Sequence, residues 1–173
     1  QWEQIAQVVN DKKLLPLMDF AYQGFGRGLD EDAEGLRIVA AAVEEMVICS
    51  SFSKNFGLYK ERVGAITLKG GSTEAIDAAF SHLKTTIRRL YSNPPAHGGA
   101  IVTTIMNDTA LRAEWEDEVA QTRRRIAEMR ELFVATLKAK GVQRDFSFLT
   151  SQYGMFSFSG LNPEQVKTLR EKN

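Results

Sequence analysis

The sequence predicts an α/β fold, with helices packed around a mainly parallel sheet. Three short apolar runs are typical of strands, at 14–18, 46–49 and 63–68. Apolar residues at helical spacing indicate the end of a helix at 2–11, before the first run, and a helix at 31–45, between the first two runs. This alternation favours parallel strands, and ligands of parallel sheets bind beyond the carboxyl ends of the strands. Asp19 and the segment 51–54 follow two of these runs, so we expect a site there.

The second half of the chain is predicted to be mostly helical. A helix capped by Ser72 is expected to bury one face, formed by Ile76, Phe80, Leu83 and Ile87. Pro94 and Pro95 end this helical region, because proline has no backbone N–H to donate. A long amphipathic helix is predicted over 108–140, with Gly141 as its C-terminal cap. We place a domain boundary inside it, giving one domain over 1–120 and a second over 121–173.

The C-terminal part alternates apolar and polar residues, which predicts two half-buried strands at 146–148 and 155–158. A last helix is expected to start at 162–164, with proline in its first turn. Helical patterns already run through the first residues and still run through the last ones. We therefore expect the 173 residues to be a piece of a longer protein.

The composition argues against several functional classes. Lys plus Arg and Asp plus Glu each number 22, so no net charge attracts nucleic acid or an anionic membrane. No apolar run is long enough to cross a bilayer. His82 and His97 stand fifteen positions apart with no companion ligand, so no metal site is expected. The single Cys49, within an apolar run, fits a reducing, cytoplasmic compartment.

Lys54 lies in an unusual segment, the sequence SFSKNFGLYKERVG at 51–64. Most lysines are solvated surface charges. Here, however, a strand leads into a turn that is rich in hydroxyl, aromatic and glycine residues, and Arg62 follows eight positions later. Hydroxyl and guanidinium groups suit a phosphate, since they donate hydrogen bonds to its oxygens. A partly desolvated lysine amine can act as a nucleophile.

This segment resembles the aspartate aminotransferase family of fold-type I enzymes that use pyridoxal 5′-phosphate (PLP). Similarity continues at DFAYQGF (19–25), YSNPP (91–95) and GMFSFSGL (154–161), in matching order and spacing. The resemblance implies part of a large PLP-binding domain, joined by a long helix to part of a small α+β domain. It also implies that Lys54 holds PLP as a Schiff base and transfers protons during transamination.

The resemblance implies further roles, each of which has a simpler structural alternative. Asp19 would pair with the pyridine nitrogen, or be a turn aspartate. Tyr22 would bind the ring oxygen O3′, or be a core tyrosine. Ser51 and Arg62 would bind the phosphate; the alternatives are a strand-end hydroxyl bonded to its own backbone and a surface arginine paired with Glu61 or Asp19.

Three more residues are implied to contact the substrate. Arg88 resembles the arginine that binds the distal carboxylate of aspartate or glutamate from the other subunit of a homodimer. The alternative is an exposed arginine on an amphipathic helix, and Arg89 beside it leaves the assignment open. Ser92 lies near the same contact. Phe156 resembles an aromatic residue at the substrate entrance, and core packing explains it equally well.

The resemblance thus implies transamination between aspartate or glutamate and a 2-oxo acid. An aromatic amino acid aminotransferase shares these motifs, and a non-catalytic dimerisation module is the alternative of another class. The substrate α-carboxylate arginine, the ring-stacking aromatic residue and the glycine-rich phosphate loop of the family are not found in these 173 residues. We therefore expect the chain by itself to have little or no activity.

Overall fold

The computed structural model describes residues 1–172 and confirms an α/β fold. Its sheet has three strands in the order β1 (Leu17–Phe20), β2 (Met46–Ser51) and β3 (Gly64–Lys69). Strand β1 is parallel to β2, whereas β3 is antiparallel to it. Instead of a mainly parallel sheet, these strands thus make one pairing of each kind. The reason is the connection over 52–63, which contains turns but no crossover helix.

Helices α1 (Trp2–Asp11) and α3 (Glu34–Ala42) pack on each other and on the sheet. The core consists of Ala6, Val39, Val43 and Met46. The helix expected over 31–45 is divided, because a short helix α2 (Leu29–Asp32) precedes α3. Lys69 at the end of β3 donates hydrogen bonds from Nζ to the carbonyls of Ala40 and Val43. A cation there stabilises the C-terminal end of α3.

Helix α4 (Thr73–Tyr91) begins as predicted, because Ser72 Oγ accepts a hydrogen bond from the Ala75 N–H. The buried face expected on it is wrong for this chain. Phe80 is 44% exposed, and the other three apolar residues of that face are only half-buried. Helix α4 packs mainly against β3, which contacts it over a small area, so most of the apolar face stays open to solvent.

Two helices follow the double proline. Helix α5 (Ala96–Asn107) was not expected from the sequence, whereas α6 (Thr109–Ala139) confirms the long helix. Asp108 caps the start of α6 by accepting hydrogen bonds from the N–H groups of Ala110 and Leu111. At its end Gly141 has φ +75°, a left-handed conformation that glycine adopts without strain.

The two strands expected in the C-terminal part are wrong. Residues Ser147–Ser151 form a 3-10 helix, and 152–162 have no regular secondary structure. Asp145 starts this turn by accepting hydrogen bonds from the backbone N–H and the hydroxyl of Ser147. The final helix α7 (Pro163–Lys172) begins where the sequence predicted. None of the helices in residues 1–172 is long and apolar enough to cross a bilayer.

Candidate active site around Lys54

The parallel pairing of β1 and β2 brings the predicted site residues to one edge of the sheet. Asp19 pairs with Cys49 across the two strands, and the chain leaves this edge towards Tyr22 on one side and Lys54 on the other. Asp19 and Tyr22 line one cleft of about 340 Å³ together with Gln23, Arg27 and Tyr153. Neither the Asp19 carboxylate nor the Tyr22 hydroxyl has a hydrogen-bond or ionic partner within residues 1–172.

Lys54 is half-buried and directed at Tyr22. Its Nζ lies 4.5 Å from the centre of the Tyr22 ring, which is a cation–π contact. No carboxylate in the described part of the chain forms an ion pair with it. The amine is therefore held in place by an aromatic face rather than by a countercharge. A lysine held in this way keeps its hydrogen-bonding capacity for a ligand.

The turn that carries Lys54 is built from the residues on either side of it. Ser53 and Asn55 are buried, while the Asn55 side-chain N–H donates to the Gln23 carbonyl at 3.3 Å. From helix α6, Trp115 Nε1 donates to the Asn55 carbonyl at 2.8 Å and the indole stacks on Phe56. This packing fixes the backbone on both sides of Lys54, whose side chain lines a neighbouring cavity together with Phe56 and Trp115.

The loop that carries Tyr22 is fixed by one carboxylate. Asp32 accepts backbone hydrogen bonds from Gly24, Gly26 and Arg27, at 2.8–2.9 Å. Gly24 has φ +98°, and a Cβ there would lie 2.6 Å from Val119 Cγ1 on α6. Glycine is thus required both by the backbone angle and by the approach of the helix.

Ser51 and Arg62 lie at the two ends of the loop between β2 and β3. The Ser51 hydroxyl accepts a hydrogen bond from the Ser53 N–H at 3.2 Å, which is the simpler alternative noted from the sequence, and its own hydrogen remains free to donate. Arg62 donates one N–H to the Tyr59 carbonyl and pairs with neither Glu61 nor Asp19. Four of its five N–H donors remain free. Its φ of +52° is rare for a residue with a side chain, and such strain is concentrated at functional sites.

Phe156 is brought to this site from the distant C-terminal part of the chain. Its ring meets the Tyr22 ring edge-on, with 5.3 Å between the ring centres. The phenylalanine is 69% exposed, so it is not a core residue. Tyr22 therefore contacts Lys54 and Phe156, and Phe156 stands at the outside of the cluster.

Arg88 and Ser92 are not joined to this cluster. Both are exposed, and within residues 1–172 no hydrogen bond, ion pair or ring contact connects them with Lys54 or Tyr22. The chain that follows them does return to the site: Gly98 packs against Glu61 and Val63, and His97 Nδ1 lies 2.8 Å from a Glu61 carboxylate oxygen. Helix α5 thus supports the loop on either side of Arg62.

Sequence reasoning missed the residues that hold the site together. They are Asp32, Asn55 and Trp115. Trp115 was recognised as part of the apolar stripe of the long helix, but its hydrogen bond to a residue 60 positions away has no local signature. The Gly-rich run 24–28 next to an aspartate at 32 was the one available signal for a backbone-binding carboxylate.

The chemistry of these donors fits PLP. A lysine amine can bond an aldehyde carbon, a carboxylate suits a protonated ring nitrogen, and a phenol suits a ring oxygen. A hydroxyl and a mostly unpaired guanidinium suit a phosphate. In contrast, residues 1–172 contain no group of three or more His, Cys, Asp or Glu side chains able to hold a metal ion. Fold and site together are those of an α/β protein that gathers a lysine amine, a carboxylate and a phenol at one edge of its sheet.

Comparison with known proteins gives the family. The model of aminotransferases of class I and II matches residues 1–173. The aspartate aminotransferase of Escherichia coli K12 is 59% identical over 172 residues, which is 99% of this chain and 43% of that protein. The aromatic-amino-acid aminotransferase of Pseudomonas aeruginosa is 44% identical over the same shares. The chain belongs to the class I and II aminotransferase family, and it spans less than half the length of these relatives.

Solved structures agree with this assignment. The aromatic-amino-acid aminotransferase of Burkholderia pseudomallei, covalently bound to pyridoxal phosphate, superposes with a TM-score of 0.94 at 48% identity. The alignment covers 99% of this chain and 43% of that one. A mitochondrial aspartate aminotransferase from Trypanosoma brucei has the same TM-score at 40% identity, covering 99% of this chain and 45% of its own. The resemblance inferred from the motifs is confirmed.

Proposed function

We propose that the whole protein is a PLP-dependent aminotransferase that moves the amino group between aspartate or glutamate and a 2-oxo acid. The observation that carries the proposal is the position of Lys54, whose amine lies over Tyr22 at the sheet edge that also holds Asp19 and Ser51. The E. coli relative with 59% identity is named aspartate aminotransferase, which supports the choice of substrate.

Five residues of this chain would hold the cofactor. Lys54 would bind it covalently, Asp19 would hold the ring nitrogen and Tyr22 would donate to the ring oxygen. The phosphate would be bound by Ser51 and Arg62, which retain free donors. When bound, PLP supplies an electron sink for the carbanion that forms at the substrate α-carbon.

Lys54 has a second task once the substrate amine has replaced it. Its Nζ would accept the proton from the substrate α-carbon and deliver it to the cofactor, as general base and then general acid. The anchored backbone of Ser53 and Asn55 keeps the start of this flexible side chain in one place. Such positioning is what makes proton transfer by a single amine effective.

Substrate recognition would involve residues from two subunits. We place Arg88 and Ser92 of one subunit in the site of its partner in a homodimer, where the guanidinium would pair with the distal carboxylate. Their exposure and their lack of contact with Lys54 of the same chain support a role across an interface. Phe156 would border the substrate entrance beside Tyr22. We also keep the division into domains 1–120 and 121–173, and a cytoplasmic location, as proposals.

A second candidate is an aromatic amino acid aminotransferase. The contact between Tyr22 and Phe156 favours it, because paired aromatic rings at an entrance suit an aromatic side chain. Relatives of this name also match, at 44% identity in P. aeruginosa. Comparing kcat/KM of the whole protein for aspartate and for phenylalanine separates the two candidates.

The proposal is tested by finding which lysine binds PLP. The protein is mixed with PLP, reduced with borohydride and digested, and the modified peptides are identified by mass spectrometry. We expect modification at Lys54 in preference to exposed lysines such as Lys60. Modification spread over the surface lysines, with Lys54 no more labelled than Lys60, would contradict the cofactor site proposed here.

A further inference from the structure

Helix α6 contains a buried arginine to which the proposed chemistry gives no role. Arg130 is 8% exposed, and no carboxylate in residues 1–172 forms an ion pair with it. Burying a charge in this way is costly unless its hydrogen bonds are satisfied. In this protein they are satisfied by neutral oxygens, so the arrangement calls for an explanation beyond charge pairing.

All acceptors of Arg130 belong to one short segment, 152–157. Its Nε donates to the Ser157 hydroxyl and its Nη1 to the Gln152 carbonyl, both at 2.8 Å. Its Nη2 donates to the carbonyls of Gly154 and of Phe156, the latter at 2.9 Å. This segment has no regular secondary structure. The guanidinium therefore binds backbone carbonyls of this segment that a neighbouring strand would bind in a sheet.

The same segment carries Phe156, which depends on this support. Phe156 is 69% exposed, and its ring meets the Tyr22 ring edge-on. A side chain so exposed is held mainly by its own backbone. The carbonyl of Phe156 is bound directly by Arg130, so the guanidinium sets where this ring stands.

Helix α6 also holds the opposite side of the entrance. Arg123 Nη1 donates to the Gly24 carbonyl at 2.9 Å, and Val119 packs against Gly24. One face of the helix thus fixes the loop that follows Tyr22 and, two turns later, the segment that carries Phe156. The distance between the two rings is determined by a rigid helix rather than by the loops themselves.

We propose that Arg130 is a positioning residue for substrate binding, which holds Phe156 against Tyr22 and so shapes the entrance for the side chain of the amino acid substrate. The inference rests on the proposed aminotransferase function. Arg130 itself contacts neither Lys54 nor Tyr22. Its loss should therefore weaken substrate binding while chemistry at Lys54 and attachment of PLP continue.

The test is a double-mutant cycle in the whole, PLP-loaded protein, with the variants Arg130→Lys, Phe156→Ala and both together. We expect Arg130→Lys to raise KM for the amino acid about tenfold and to change kcat by less than about threefold. In the Phe156→Ala background the same change should have no further effect on KM, because residues that act through each other are not additive. Arg124→Lys, an exposed arginine on the same helix, serves as the control.

A readout without turnover accompanies the kinetics. A 2-methyl amino acid lacks the α-hydrogen and therefore binds without reacting further; its Kd, measured from the absorbance of the bound cofactor, should also rise about tenfold in Arg130→Lys. If that variant does not fold, Ser157→Ala replaces it in the cycle. Because it removes one of the four hydrogen bonds, a smaller KM increase of about threefold is expected, again absent in the Phe156→Ala background.

The outcomes are distinct. An unchanged KM, or an equal KM increase with and without Phe156, would overturn the role of Arg130. Labelling of Lys54 by PLP and borohydride in the unsubstituted protein is measured alongside. If Lys54 is labelled and the cycle is additive, only the inference about Arg130 fails; if Lys54 is not labelled, the proposed function itself fails.

Discussion

The loop that carries Lys54 and the helix that carries Arg88 are built in opposite ways. Ser53 and Asn55 are buried on either side of Lys54, and Trp115 holds the backbone from helix α6. Helix α4, in contrast, has no buried residue, and Phe80 in its middle is 44% exposed. The packing within this chain organises one half of the proposed site, while the other half stands free.

This difference fits the proposed division of the site between the subunits of a homodimer. The groups proposed to hold the cofactor must keep fixed distances, and contacts within one chain place them. A residue that reaches into a neighbouring subunit needs an exposed helix that another surface can cover. The following substitutions test this contrast, beginning with the largest expected effect.

Lys54→Ala should lower kcat of the whole protein at least about 10³-fold, since the variant loses its general acid–base group. Lys60→Ala, in the same loop but exposed, should change it less than about twofold. Steady-state assays of both variants provide the measurement. Comparable losses of kcat in the two variants would mean that activity depends on the positive charge of the loop rather than on the Lys54 amine.

Trp115→Ala should reduce the free energy of unfolding by about 3 kcal/mol, because it removes a stacked ring and a hydrogen bond to the Asn55 carbonyl. Phe80→Ala should cost less than about 1 kcal/mol. Urea unfolding of the whole protein compares the two. A cost for Phe80→Ala as large as that for Trp115→Ala would show that the proposed subunit contact extends along α4 from Arg88 to Phe80.

Arg88→Leu should reduce kcat/KM for aspartate about 100-fold, equivalent to about 2.7 kcal/mol, and that for phenylalanine less than about threefold. The neighbouring Arg89→Leu is the matched control and should leave both values nearly unchanged. If Arg89→Leu shows the larger selective loss of kcat/KM for aspartate, Arg89 rather than Arg88 binds the distal carboxylate. An equal loss with both substrates would exclude a carboxylate-binding role for Arg88.

Gly24→Ala should destabilise the protein by about 2 kcal/mol, because φ is +98° and the new Cβ would meet Val119 Cγ1 at 2.6 Å. At Gly99, inside helix α5, an added Cβ meets no atom within 4 Å. Gly99→Ala should therefore be neutral or stabilise by up to about 1 kcal/mol. Thermal or urea unfolding measures both, and similar costs would refute the close approach of α6 to the Tyr22 loop.

The smallest effect is expected at Asp145. Its pKa is held below the usual value by hydrogen bonds from the Ser147 backbone N–H and hydroxyl. Because the folded pKa is the lower one, the carboxylate stabilises the fold above its unfolded pKa, and this contribution is lost as pH falls through the folded pKa. Ser147→Ala should raise the pKa of Asp145 in an NMR titration. Thr150→Ala, which leaves both hydrogen bonds to the Asp145 carboxylate in place, should not.

Local patterns in the sequence predicted most helices and strands. Ser72, Pro94 and Gly141 marked helix ends because caps and prolines act within a few residues. The segments at 146–148 and 155–158 were taken for strands because an alternating pattern does not show whether a partner strand is present. Asp145 turns the first into a 3-10 helix, and Arg130 binds the Phe156 carbonyl and the Ser157 hydroxyl of the second.

The site residues show the same difference between local and long-range signals. Asp19, Tyr22, Ser51, Lys54 and Arg62 stand in motifs whose order is visible in the sequence, and the structure places them around one edge of the sheet. Which residues support them was not visible. The contacts of Trp115 with Asn55 and of Arg123 with Gly24 span 60 and 99 positions, and only folding brings such partners together.

The face of α6 that contacts the site constrains the length of this helix in related proteins. It consists of Trp115, Val119, Arg123 and Arg130. An α-helix turns about 100° and rises about 1.5 Å per residue, so these four lie within about 80° of one another around its axis. A one-residue insertion between Trp115 and Arg130 would rotate Arg130 away from its acceptors. Relatives should therefore vary freely in sequence on the outer faces of this stretch, yet keep its length constant, and tolerate added or lost residues only after Arg130.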